Sequence, residues 1–165
     1  MADILIDSVS ASFTGTDNAD TFRNSTGNLR DVTVQGLSGD DILSFGSAVQ
    51  AGTGDGGVGL GYSIGSSQLV MGAGQDSLTF SGQAGSGASK FNTTTIKLGQ
   101  DDDFLVVNGL VSASASIIKG NEGDDEITFT NAAGAGTTAS DVFIAAGAGA
   151  DVINASWTGT EAAGF

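Results

Sequence analysis

Six stretches of the chain repeat one signature, a glycine-rich or acidic turn that ends in aspartate and runs into alternating apolar residues. They are GTDNADTFR from Gly15, GLSGDDILS from Gly36, MGAGQDSLT from Met71, LGQDDDFLV from Leu98, GNEGDDEIT from Gly120 and AGAGADVIN from Ala146. The anchoring aspartates are Asp20, Asp41, Asp76, Asp103, Asp125 and Asp151, separated by 21, 35, 27, 22 and 26 residues. An even motif at uneven spacing means constant turns joined by variable loops. Columns outside the turn keep the same register: Phe22, Leu43, Leu78, Leu105, Ile127 and Ile153 follow each aspartate by two, and Phe13, Val34, Leu69, Ile96, Ile118 and Ile144 precede it by seven. The alternating partners Arg23, Ser44, Thr79, Val106, Thr128 and Asn154 are mostly polar. Each unit therefore reads strand, tight turn, strand, with one apolar face shared by both strands.

Helical periodicity is missing throughout, and no stretch combines helix formers with caps at both ends. The 27 glycines and the 39% hydrophobic fraction raise disorder as an alternative. Valine, isoleucine, leucine and phenylalanine nevertheless fall in short alternating runs between glycine-rich gaps, which is the pattern of strands.

The nonapeptides resemble the repeats-in-toxin (RTX) family, whose G-G-x-G-x-D-x-U-x pattern marks calcium-binding β-helical repeats. GLSGDDILS and GNEGDDEIT depart from it only at the second glycine, where Leu37 and Asn121 stand. MGAGQDSLT, LGQDDDFLV and AGAGADVIN lose the first glycine, and GTDNADTFR replaces the middle glycine by Asn18. The resemblance spans about residues 13 to 155. It implies an all-β fold, a right-handed parallel β-solenoid of the β-roll or β-helix kind. About six rungs are expected, with GxGxD turns stacked along one edge, because one motif occurs per rung and the return path is a variable loop. A single domain is expected over 1–165, with 1–12 as an N-terminal strand or assembly segment, 13–155 as repeats and 156–165 as a tail.

The same resemblance implies the six anchoring aspartates as calcium ligands, with carbonyls from preceding residues that include Gly39, Gly74, Gly123 and Gly149. Asp17, Asp40, Asp101, Asp102 and Asp124 join them as extra ligands or charge adjusters. The chemistry agrees: calcium takes six to eight oxygens at roughly 2.3–2.6 Å, and glycine lets a backbone bend sharply enough to present carbonyls. Strands lie about 4.8 Å apart, so two neighbouring turns can share an ion. Five intervals between turns set a scale of roughly four to six ions. Without cations, neighbouring aspartates at that spacing repel by about 1 kcal/mol per pair in water, and by several at lower dielectric.

Nineteen acids against five bases, a net charge of −14, make nucleic acid and anionic membranes poor partners and cations good ones. Histidine, cysteine and proline are absent, which removes thiolate and imidazole metal sites, disulfides and the usual general base. Adjacent pairs such as Asp102/Asp103 and Asp124/Asp125 resemble carboxylate acid–base pairs, but neighbours on a turn point different ways, and both belong to the repeat. No run of 18 apolar residues occurs, and MADILIDSVSASF has neither the basic start nor the apolar run of a signal peptide. The expected function is non-enzymatic: a calcium-stabilised structural protein that self-assembles with copies of itself into an extracellular filament, surface-layer-like sheet or matrix. The alternative is a virion component that decorates a capsid or forms a fibre, with a cell-surface glycan or capsid as partner. Ice-binding or carbohydrate-active roles stand behind both. Export is expected by a route of the type I kind, which does not read the N-terminus.

Overall fold

The structure is a computed structural model that describes residues 1–6, 10–24, 28–46, 63–81, 90–110, 112–131 and 138–156. The described elements are all strands. In chain order they are β1 (Asp3–Ile6), β2 (Ser12–Thr14), β3 (Thr21–Asn24), β4 (Asn28–Arg30), β5 (Thr33–Ser38), β6 (Ile42–Gly46), β7 (Ser63–Gly65) and β8 (Gln68–Ala73). They continue with β9 (Ser77–Ser81), β10 (Lys90–Asn92), β11 (Thr95–Gln100), β12 (Phe104–Leu110), β13 (Ser112–Glu122), β14 (Glu126–Asn131), β15 (Thr138–Ala148) and β16 (Val152–Ser156). Every pairing among them is parallel.

The expectation of a six-rung right-handed β-solenoid is corrected by this arrangement. The strands form two parallel sheets: one of seven strands, ordered β1-β3-β6-β9-β12-β14-β16, and one of nine that curls into a half-barrel. The curl is made by the long strand β13. Its first residues, Ser112–Ser114, pair with β10, while Ile117–Asn121 pair with β11, so one strand belongs to both arms of the sheet. The second arm, β4, β7, β10 and the starts of β13 and β15, lies in what the sequence reading took for loop. Within the first segment, Asp3–Ile6 is a strand and pairs with Thr21–Asn24 at the end of the seven-stranded sheet. Residues 47–62, with Tyr62, and 157–165, with Trp157, lie outside the described residues.

The two arms meet at a sharp bend, where Asp31, Ser66, Thr93, Ala115 and Asp141 all have φ between 47° and 55°. Left-handed backbone in non-glycine residues is strained, so packing on both sides must hold it. The next residue in each case points inward and is buried: Val32, Ser67, Thr94, Ser116 and Val142. The three hydroxyls meet their own hydrogen-bonding needs at the bend. Ser116 Oγ donates to the Ser114 carbonyl at 2.8 Å and accepts the Thr94 amide at 3.2 Å, and Ser67 Oγ donates to Gly65 and accepts from Val32. Ser116→Ala leaves the buried Thr94 amide without that acceptor, and chemical denaturation will show a loss of about 1–3 kcal/mol.

Between the sheets lies one core. The columns expected from the sequence stack as Phe22, Leu43, Leu78, Leu105 and Ile127 from one sheet and Val34, Leu69, Ile96 and Ile118 from the other, all fully buried. The second arm adds Ile64 and Phe91. Phe91 stands edge-on to both Phe80 and Phe129, with centroids 6.0 and 6.1 Å apart, so it ties the nine-stranded sheet to the seven-stranded one.

Candidate cation site in a buried aspartate column

Each acidic turn joins the curled sheet to the seven-stranded one, and parallel pairing on both sides stacks the six turns into a column. Glycine is required where the turns touch. Gly99 has φ 138°, and a Cβ there would lie 1.9 Å from the Gly72 carbonyl oxygen; Gly149, at φ 147°, would meet Gly123 at the same distance. Gly39, Gly74 and Gly123 also adopt positive φ, and the Gly39 and Gly123 carbonyls face the glycine of the next turn.

The anchoring aspartates are not solvated. Asp20, Asp41, Asp76, Asp103 and Asp125 are each at most 3% exposed, and Asp151, at the end of the column, is half-buried. Their side chains form a ladder with the backbone. Oδ1 of Asp41, Asp76, Asp103, Asp125 and Asp151 accepts the amide of the preceding aspartate, Asp20, Asp41, Asp76, Asp103 and Asp125 respectively, at 2.8–3.0 Å. At the start, Ala2 occupies the position of an aspartate and donates its amide to Asp20. A second, exposed ladder runs beside the first in the opposite sense: Asp40, Asp102 and Asp124 accept the amides of Gln75, Asp124 and Ala150 in the following turn. Sequence reasoning did not foresee either ladder. Carboxylates in these turns satisfy backbone donors that the bend leaves without strand partners.

The other carboxylate oxygen separates two kinds of site. Asp20 Oδ2 accepts from the Thr16 amide and hydroxyl, and its pKa is lowered, first by the Ala2 amide. Oδ2 of Asp41, Asp76, Asp103 and Asp125 is buried with no hydrogen-bond partner. Burial, reinforced by neighbouring carboxylates, pushes Asp41 up to about 6, Asp76 to about 7 and Asp103 to about 8, and raises Asp125 as well. An anionic oxygen in that position needs a proton or a cation.

Two of these oxygens lie beside a backbone carbonyl, against Gly36 and Gly120. The space that a Cβ of Gly36 would fill is shared by Asp41 Oδ2 and the Met71 carbonyl oxygen, each 2.2 Å from that point. At Gly120 the Asp125 Oδ2 and the Ala146 carbonyl converge in the same way, at 2.1 and 2.0 Å. These donors are hard oxygens, the kind calcium takes. Among the described residues no three acidic side chains cluster as a carboxylate-built metal centre would require. The oxygen donors at hand are single carboxylate oxygens and backbone carbonyls. Asp20, already saturated, offers no free oxygen, and Asp17 and Asp101 are exposed on the outside of their turns.

Comparison with known proteins identifies no relative. No family model, curated protein or solved structure matches the chain. The likeness to RTX repeats thus rests on the six turns themselves.

Proposed function

We propose that this is a non-enzymatic structural protein whose aspartate column takes up calcium outside the cell, and which builds a surface filament, sheet or matrix from copies of itself. The observation that carries this reading is the file of four buried, unpartnered Oδ2 atoms at Asp41, Asp76, Asp103 and Asp125. A divalent cation supplies them with positive charge in a site that offers no donor. Asp41, Asp76, Asp103 and Asp125 would hold the ions, with carbonyls such as those of Met71 and Ala146 completing the shell. External calcium suits sites of this kind, since extracellular modules bind at roughly 10⁻⁴–10⁻³ M. The net charge of −14 raises the local cation concentration in the same direction.

The test is a calcium titration of EGTA-treated protein at pH 8, followed by circular dichroism and thermal unfolding, with magnesium as control. Saturable stabilisation by calcium, with magnesium ineffective at equal concentration, is expected. Unfolding that is indifferent to calcium at that pH would remove the ion from the proposal.

A further inference from the structure

We infer that copies of this chain join end to end, the β1/β2 end of one seated on the β16/β15 end of the next, an inference that rests on the proposed role as a building block and names its contact. Among the described strands, β16 pairs only with β14 and β1 only with β3, so the seven-stranded sheet has a free edge at each end. In the nine-stranded sheet β15 pairs only with β13 and β2 only with β5. Free edges of this length invite a further strand.

The end strands of the seven-stranded sheet match in register and in chemistry. Ile153 occupies the inward column whose other late members are fully buried, yet it is 45% exposed, and no described strand follows it. Ile144, in the companion column, is only partly buried. At the opposite end the same two columns begin with Ile4 and Phe13, which pack against the core but are also incompletely covered. Because every pairing is parallel, the edge of β16 continues only onto a strand that runs the same way and keeps the same offset from the aspartate column. β1 is such a strand: Ile4 pairs with Phe22 as Ile127 pairs with Ile153. A joined copy sets Ile4 on Ile153 and extends the seven-stranded sheet without changing its register; Phe13, which leads into the turn after β1, then stands one strand beyond Ile144, so room for a single strand is left between β15 and β2 in the nine-stranded sheet. It also places Ala2, not a further aspartate, against Asp151. The joint therefore adds apolar contact to a column of carboxylates without adding another carboxylate to it.

The alternative contacts are lateral, through Ile42 and Phe104 on the outer face of the seven-stranded sheet, 44% and 38% exposed, or internal, through residues 157–165 of the same chain. Sedimentation velocity and electron microscopy of the full chain, with millimolar calcium and with EGTA, distinguish them. Wild type and Phe104→Lys are expected to form thin linear particles, and Ile153→Lys to remain monomeric with an unchanged circular dichroism spectrum. Ile4→Lys, at the other end, should fail likewise, and an equimolar mixture of the two end variants should stop at dimers, because each keeps one intact face. The inference is overturned by a folded wild-type monomer at high concentration, all the more if the β16 amides are protected from exchange, which would give the place to residues 157–165. It is overturned as well if Phe104→Lys abolishes association and Ile153→Lys does not. Association that needs Ile153 but ignores calcium keeps the joint and removes the calcium reading instead.

Discussion

Metal-free protein titrated from about pH 4 to pH 9 will lose stability as the pH rises, the reverse of ordinary acid denaturation. Asp41, Asp76 and Asp103 have folded-state pKa values pushed up to about 6, 7 and 8 by burial, against 3.8 when exposed. Below the unfolded value both states hold the proton and these groups contribute nothing to the pH dependence. Above it the unfolded chain releases protons that the folded chain keeps, so unfolding becomes progressively easier until the folded pKa values are passed. Each unit of displacement corresponds to ~1.4 kcal/mol, so the combined loss amounts to several kcal/mol. For a chain of this size that lowers Tm by ~10 °C or more between the two ends of the titration. Calcium should flatten the upper part of the profile, because an ion replaces the proton that the high pH removes. Differential scanning calorimetry across this range, with EGTA and with calcium, is the measurement. A metal-free Tm that rises from pH 4 to pH 8 would mean that the four Oδ2 atoms have donors of their own.

The double variant Asp76→Asn/Asp103→Asn separates the two jobs of the column. An asparagine Oδ1 still accepts the amide of the preceding turn, so the ladder through Asp41 and Asp76 persists. What changes is the second position, where an NH₂ group replaces an oxygen that has no partner. Two buried amides without acceptors cost about 1–3 kcal/mol each. Two buried carboxylates kept ionised against pKa values near 7 and 8 cost more than that. In EGTA at pH 9 the variant should therefore be more stable than wild type, by about 3 kcal/mol, or ~6–12 °C in Tm. At pH 5 the advantage disappears, because the wild-type carboxyls are protonated there. Calcium, which stabilises the wild type, should have a much smaller effect on the variant. A double variant less stable than wild type at both pH values would show that the carboxylates are already compensated, and the cation proposal would lose its basis.

Much of the core was legible from residue order alone. The two apolar columns, one running from Phe22 to Ile153 and the other from Phe13 to Ile144, follow from their constant offsets to the aspartates, and the core residues Leu43, Leu78, Leu105, Ile127, Val34, Leu69, Ile96 and Ile118 are among those the offsets select. The second arm of the curled sheet was legible in principle by the same rule. Asn28, Ser63, Lys90, Ser112 and Thr138 each stand thirteen residues before their aspartate, and each begins that arm's stretch of strand. It escaped notice because a three-residue strand with one apolar residue at its centre, such as Ser63-Ile64-Gly65 or Lys90-Phe91-Asn92, is too short to show a period and resembles loop. The bend before β5, β8 and β11 is hidden for the same reason, since Asp31, Ser66 and Thr93 enter left-handed backbone without a glycine to announce it.

The sequence by itself determined that aspartates recur in one register beside buried strands, because period-two alternation leaves only one face for the core and so aligns every turn. Only the tertiary structure decided what those aspartates do. Oδ1 of each aspartate meets an amide of the neighbouring turn, 18 to 35 residues away in sequence, whereas Oδ2 of Asp20 meets the amide and hydroxyl of Thr16, four residues earlier in its own turn. That difference leaves Asp20 saturated by Ala2 and Thr16 and leaves Asp41, Asp76, Asp103 and Asp125 each with one oxygen buried and bare. Burial and the pairing of distant turns, together with the one local threonine at Thr16, set the charge state of this column.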